Sequence, residues 1–340
     1  MKLLHRNLIV FFLFSTIAHI SAICEEITPY KFTETLPEYE IPKSSRFTTK
    51  RQKPGAPEIV YYLTKPHHNN FPIVILCEGS SDENNIASAI HFHRYFLKDC
   101  IDLGAAVLTV ERWGVDGNQI DKDEWIKHYT RSQRLEDHRN VIQCLKTKQL
   151  IQGWNGKLIF IGVSEGGPLV TSLSAEYSVD TIATINWSGA GDCSWREELW
   201  VFIQNLIRMN VECPHSFYLN ECQSCLEDIG SKAKYDVLMN SILKNPKTDE
   251  YFFGMTYLYH SDALVYPLPE YQKLTKPFLV VGGALDTIIE STDAFVQKAK
   301  NNQCPITYLR ISDMDHYVRK RPDVIEASFA WLEKQIANVQ

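Results

Sequence analysis

Several things are scarce or missing in this 340-residue chain. There is no surplus of basic charge: 35 Lys and Arg stand against 41 Asp and Glu, a formal net charge of -6. That balance argues against nucleic acid or an anionic membrane surface as a partner. No internal repeat and no low-complexity tract is present, which excludes a solenoid and a long compositional linker. Metal sites are not spelled out either. Cys222-Gln223-Ser224-Cys225 is a single C-x-x-C, so a four-cysteine zinc site lacks its second knuckle. Asp116-Gly117-Asn118-Gln119-Ile120-Asp121 lacks the glycine of a calcium loop and puts Ile120 at a ligand position. His91 and His93 stand two apart on an expected helix, so they diverge, one to the surface and one partly buried. His67-His68 falls in a Pro/Asn-rich turn and is expected to be solvated. No metal and no organic cofactor is therefore expected.

The apolar run from Leu8 to Ala18 is too short for a comfortable membrane span. With Lys2, His5 and Arg6 before it and Ile20-Ser21-Ala22 after it, residues 1-22 read as a secretory signal peptide cleaved after Ala22. An uncleaved N-terminal anchor is the alternative. Cys24 does not make a lipoprotein, because Ile23 stands where a small residue is required. Export to the periplasm or medium is expected, with no stable membrane span after cleavage. The nine cysteines suit that compartment. Cys77 and Cys144 sit in apolar segments as small buried hydrophobes. Cys193, Cys213, Cys222 and Cys225 cluster, as disulfides or free thiols, in a pairing left open.

With 44% hydrophobic and 22% charged residues, the chain has an ordinary globular composition. After a polar, Pro-punctuated leading segment, Arg46 to Thr49 and Ile59 to Leu63 read as antiparallel edge strands around Lys53-Pro54-Gly55-Ala56-Pro57. Strands and helices then alternate. The strands expected are Pro72 to Leu76, Ala105 to Val110, Leu158 to Ile161, Thr181 to Trp187, Pro277 to Gly282 and Ile306 to Ile311. The helices expected are Asn84 to Lys98, Thr130 to Lys148, Glu165 to Tyr177, Ser291 to Lys300 and Asp323 to Ala337. Continuous Val/Ile/Leu runs fit a mostly parallel, eight-stranded sheet with helices on both faces, an α/β domain over 23-340. From about 192 to 267 the alternation breaks. Helical patches and aromatic runs such as Leu199-Trp200-Val201-Phe202-Ile203, with no clear strand, read as a cap insertion over the sheet's carboxyl edge.

The chemistry centres on Gly162-Val163-Ser164-Glu165-Gly166-Gly167, entered from Leu158-Ile159-Phe160-Ile161 and leaving into a helix. G-x-S-x-G between strand and helix makes a sharp turn that lifts a serine hydroxyl above the sheet. Such a serine needs a base, and the base needs a carboxylate to orient it. Asp286 follows Phe278 to Leu285, just past a strand, and His316 follows the Ile306 strand in Ser312-Asp313-Met314-Asp315-His316. All three fall at carboxyl ends of strands, where open α/β sheets gather their ligands. Their order, Ser then acid then His, is the one this elbow requires. Asp313 and Asp315 are rival carboxylates, disfavoured because loop neighbours of a histidine point away from it. Glu111-Arg112-Trp113-Gly114 either walls the site or forms a structural turn.

Across roughly residues 45 to 338 the chain resembles the α/β-hydrolase fold superfamily, of the dienelactone-hydrolase or prolyl-oligopeptidase catalytic type. The likeness rests on the elbow, the Gly283-Ala284-Leu285-Asp286 turn and Asp315-His316 before the last helix. The resemblance implies Ser164 as nucleophile, Asp286 as acid and His316 as base. It also implies an oxyanion hole of two backbone amides: that of Glu165, after the nucleophile, and one from the loop Leu76-Cys77-Glu78-Gly79-Ser80-Ser81. Ser80 is the expected donor and Ser81 the fallback. Many relatives have His-Gly where this chain has Glu78-Gly79, so the bracing of that loop must differ.

The expected activity is hydrolysis of carboxylic esters through an acyl-enzyme, on a small-molecule ester or short peptide. The aromatic cap suggests an apolar acyl or aryl group. A serine peptidase of prolyl-oligopeptidase type is the alternative enzyme, although the chain has no room for a propeller. A catalytically silent binding protein on the same fold is the third reading. Oligomeric state is left open.

Overall fold

Seven consecutive residues, Phe71–Cys77, are buried on both faces, as a central strand between two helical layers must be. A computed structural model describes the chain over residues 45–148, 151–189, 191–212 and 231–338. The signal-peptide reading of 1-22 and the cysteines Cys24, Cys213, Cys222 and Cys225 lie outside the described residues. Cys77, Cys100, Cys144, Cys193 and Cys304 carry free thiols.

Eight strands form one sheet. They are β1 (Arg46–Thr49), β2 (Ile59–Thr64), β3 (Phe71–Cys77), β4 (Ala106–Val110), β5 (Trp154–Val163), β6 (Thr181–Trp187), β7 (Phe278–Gly283) and β8 (Ile306–Ile311). Their order is β1-β2-β4-β3-β5-β6-β7-β8. β1 and β2 pair antiparallel, as does β2 with β4, and all later pairs are parallel. Pro72 is accommodated in central β3 because the register with β5 shifts between Phe71 and Ile73, where no ladder donor is required.

Alternation along the strands splits the core in two. Val74, Leu76, Ile159, Ile161, Ile185 and Val281 face α1 (Ala89–Asp102) and α9 (Pro322–Ala337), meeting Phe92, Phe96, Phe329 and Leu332. Ile73, Ile75, Leu108, Leu158 and Phe160 face the other layer. There α3 (Arg131–Lys148) offers Leu135, Val141, Ile142 and Leu145, and α4 (Gly166–Glu176) offers Leu169, Val170 and Leu173. α8 (Ile289–Asn301) closes the sheet's far end through Phe295 and Val296.

Four details differ from the sequence expectation. α1 starts at Ala89, not Asn84, because Ser88 caps it and accepts from the Ile90 N–H at 3.1 Å. An unexpected α2 (Lys122–His128) follows Asp121, which accepts from the Glu124 N–H at 3.0 Å. Asp121 is thus a helix cap, and a two-residue hairpin, Val115–Asp116 with Gln119–Ile120, precedes it. Between β6 and β7 lie α5 (Trp195–Glu212), α6 (Lys232–Lys244) and α7 (Tyr257–Val265). They share an apolar cluster of Leu199, Ile203, Tyr235, Met239, Ile242 and Phe252. This stretch does hold strand: a two-residue hairpin, Tyr251–Phe252 with Met255–Thr256.

Candidate active site

The strand-to-helix turn at Ser164 is tighter than an ordinary L-residue turn allows. Ser164 has φ of 53°, in the left-handed region, a strain of the kind that gathers at reactive sites. Its amide donates to Trp187 O at 2.9 Å and its carbonyl accepts from the Gly167 N–H at 2.8 Å, so the conformation is held from both sides. Glycine is obligatory in this turn on steric grounds. A Cβ on Gly166 would stand 2.1 Å from Cys77 O, and one on Gly162 would stand 2.3 Å from Gly166 O.

Oγ of Ser164 lies 2.9 Å from Nε2 of His316, and Nδ1 of His316 lies 3.0 and 2.9 Å from the two carboxylate oxygens of Asp286. The three residues singled out from the sequence are thereby brought into one chain of contacts. Asp286 is buried, and its Oδ1 also accepts from the Ile288 N–H at 3.1 Å. His316 is half-buried, with its side chain 31% exposed. Burial works against a charged imidazole, but Asp286, through its charge and hydrogen bond, outweighs it and holds His316 above its ordinary value. The rival carboxylates are occupied elsewhere. Asp313 pairs with Arg321 at 2.8 Å, and Asp315 with Lys320 at 2.9 Å.

The loop after β3 lies against the serine. A Cβ on Gly79 would be 3.2 Å from Ser164 Cβ. The Ser81 N–H is already spent, donating to the Tyr129 hydroxyl at 3.1 Å. Among the described residues the Ser80 and Glu165 amides donate to no protein group. Ser81 is therefore removed as the fallback donor.

What braces this loop was not legible in the sequence. Arg112 Nη1 pairs with Glu78 Oε1 at 2.7 Å and donates to Ala87 O at 2.7 Å, while Nη2 donates to Gly79 O. Burial raises the Glu78 carboxyl, and Arg112 and Arg134 partly offset this. Glu111 is hydrogen-bonded to the start of α1 and to the turn at Gly117. It accepts from the Ala89 N–H at 2.9 Å and the Gly117 N–H at 3.2 Å, and burial pushes it up to about 7. The Glu111 to Gly114 turn is thus structural through Glu111, and it holds the loop through Arg112.

Also unforeseen is the Glu165 side chain. It is buried, accepting from Tyr129, Tyr259 and Arg134 at 2.6, 2.6 and 2.7 Å, with Arg131 at 3.6 Å. Burial opposes its charge, but Arg134, Arg131 and the two hydroxyls prevail and hold its carboxyl below the ordinary value. A signal for this existed. Arg134 and His138 continue, at spacings of four and three, the buried stripe of Val141 and Leu145 on α3. Polar residues on a buried stripe require partners. His91 and His93 do diverge: His91 is exposed, while His93 is fully buried, beyond expectation, between the Thr64 and Thr109 hydroxyls at 3.0 and 3.1 Å.

An antiparallel start, a mostly parallel eight-stranded sheet in this order and a serine elbow after β5 define the α/β-hydrolase fold, and the chain has it. Solved structures agree. Alpha/beta hydrolase domain-containing protein 10 from mouse is 19% identical, with a TM-score of 0.51 over 87% of this chain and 100% of that one. Proline iminopeptidase from Mycobacterium smegmatis is 15% identical, with a TM-score of 0.54 over 87% and 100%. Est1E from Butyrivibrio proteoclasticus with bound ferulic acid is 17% identical, with a TM-score of 0.54 over 82% and 96%. The sequence matches no protein-family model and no curated protein.

Proposed function

We propose that the chain is a serine hydrolase that cleaves carboxylic esters through an acyl-enzyme. The observation that carries this reading is the unbroken contact from Ser164 Oγ through His316 to Asp286, at 2.9 Å on either side of the imidazole. His316 takes the hydroxyl proton as Ser164 attacks the ester carbonyl, and Asp286 fixes the tautomer and stabilises the imidazolium. The Ser80 and Glu165 amides hold the developing oxyanion. His316 then protonates the leaving alkoxide, and a water, deprotonated by the same imidazole, releases the acid. In this reading residues 192 to 267 act as a cap over the site. Removal of residues 1-22 on export puts intracellular acyl-coenzyme A out of reach as substrate.

The test is turnover of a panel of p-nitrophenyl esters and aminoacyl-nitroanilides by the mature protein, with Ser164→Ala alongside. Ester turnover lost in the variant supports the reading. Amide turnover of equal efficiency would convert it to a peptidase. An inert wild type, with Ser164 unlabelled by a fluorophosphonate, would leave a binding protein.

A further inference from the structure

We propose that the Glu165 carboxylate is a positioning residue that ties the elbow to the Glu78–Ser81 loop, and so sets the spacing of the two amides that receive the oxyanion. The inference rests on the reading of Ser164 as nucleophile. Two one-residue chains run from this carboxylate to the loop. Oε2 accepts from the Tyr129 hydroxyl at 2.6 Å, and that hydroxyl in turn accepts the Ser81 N–H at 3.1 Å. Oε2 also accepts from Arg134 Nη1 at 2.7 Å, and Nη2 of the same guanidinium donates to Glu78 O at 2.8 Å. The two anchored atoms, Glu78 O and Ser81 N, lie on either side of Gly79 and Ser80. The Ser80 amide is thus clamped from both flanks by the side chain of the very residue that supplies the second amide.

The chemistry demands a carboxylate there. An ionised carboxyl accepts only, so each hydroxyl must donate to it, which turns the Tyr129 lone pairs toward the Ser81 N–H. A glutamine amide would present a donor to one of these partners and leave a buried guanidinium without its counter-charge. Tyr259 supplies an internal control. Its hydroxyl donates to the other oxygen, Oε1, at 2.6 Å, is equally buried, and reaches neither flank of the loop.

The experiment compares Tyr129→Phe with Tyr259→Phe in the full-length protein, each losing one buried hydroxyl bonded to the same carboxylate. The substrate is the p-nitrophenyl ester the wild type turns over fastest. The probe is a trifluoromethyl ketone of the same acyl chain, whose Ser164 adduct carries the oxyanion. For Tyr129→Phe, kcat is expected to fall at least ten-fold with KM within two-fold, and the inhibitor Ki to rise by the same factor. For Tyr259→Phe, kcat and Ki are expected to stay within two- to three-fold of wild type even if Tm drops equally. Glu165→Gln is expected to fall further than Tyr129→Phe in kcat. Equal effects of the two tyrosine variants, or an unchanged Ki in Tyr129→Phe, would show that the network serves the fold alone. An ester-inert, probe-inert wild type would instead remove the nucleophile reading, and this inference with it.

Discussion

Both carboxylate oxygens of Asp286 lie within hydrogen-bond distance of Nδ1 of His316, at 3.0 and 2.9 Å. The imidazole is therefore held with its other nitrogen toward Ser164, and its charged form is favoured. The base works only when neutral, so kcat/KM should decline toward acid pH with a midpoint above the ordinary histidine value of about 6.5. Removing the negative charge removes the cause. In Asp286→Asn the midpoint should move down, while kcat falls on the order of 10³ to 10⁴-fold because the tautomer is no longer fixed. A pH-rate profile of both proteins checks the two statements separately. A midpoint that does not move would assign the acid limb to another group.

Strain at the nucleophile makes a second prediction. Ser164 sits at φ of 53°, where any side chain with a Cβ is disfavoured. Ser164→Ala and Ser164→Gly should both be inactive, yet they should differ in stability. Glycine adopts this conformation freely, so the Gly variant should exceed the Ala variant by about 1 kcal/mol in urea unfolding. Glycine's larger unfolded-state entropy works the other way, and a reversed order would mean that the strain relieved is smaller than that entropy cost.

Most of this site was legible in the sequence because its parts are local. The elbow is five residues, and Asp286 and His316 each follow an apolar strand by a few positions. Parallel strands expose their carboxyl ends on one edge, so three short-range features converge without any knowledge of packing. The support of the oxyanion loop by Arg112, Tyr129 and Arg134 was not legible, nor was the bond of Tyr259 to Glu165, because these residues come from separate elements. Only the folded geometry points them at Glu78 and Glu165. The start of α1 was only partly legible: its cap, Ser88, is local, but the acceptor for its Ala89 amide is Glu111, 22 residues on. The part of a helix end held by a distant partner leaves no mark in local propensity.

Two glycines near the serine should respond differently to alanine. A Cβ on Gly166 would overlap Cys77 O at 2.1 Å and Cys77 C at 2.8 Å, both backbone atoms of a central strand. Nothing there can move aside, so Gly166→Ala should destabilise by several kcal/mol or prevent folding. A Cβ on Gly79 meets Ser164 Cβ at 3.2 Å and nothing else closer than 3.6 Å. Gly79→Ala should fold with nearly unchanged Tm and lose at least ten-fold in kcat, as the loop shifts by a few tenths of an ångström over the nucleophile. Thermal melts and ester turnover, read side by side, check the contrast. An equal loss of Tm in both variants would refute it.

Three buried histidines each make stability fall as the pH drops below about 6.5, and their part of the slope is calculable. Burial lowers His93 and His138 to about 3 and His260 to about 4, with neighbouring arginines adding to the effect. In the unfolded chain each titrates near 6.5. Between pH 6.5 and the folded value the unfolded state therefore binds more protons, so each histidine makes stability rise with pH by about 1.4 kcal/mol per unit. Glu111, pushed up to about 7 by burial, and His316, held high by Asp286, act with the opposite sign, so the net slope alone is not diagnostic. The difference between parent and variant is. His93→Gln keeps polar atoms between the Thr64 and Thr109 hydroxyls but cannot take up a proton. Urea unfolding at pH 6.0, 5.5, 5.0 and 4.5 should give a variant slope shallower by about 1.4 kcal/mol per pH unit. The variant is less stable near neutrality but loses less on acidification, so the two curves converge as the pH falls. Parallel curves would mean that His93 is charged or solvated in the folded protein, contrary to its full burial.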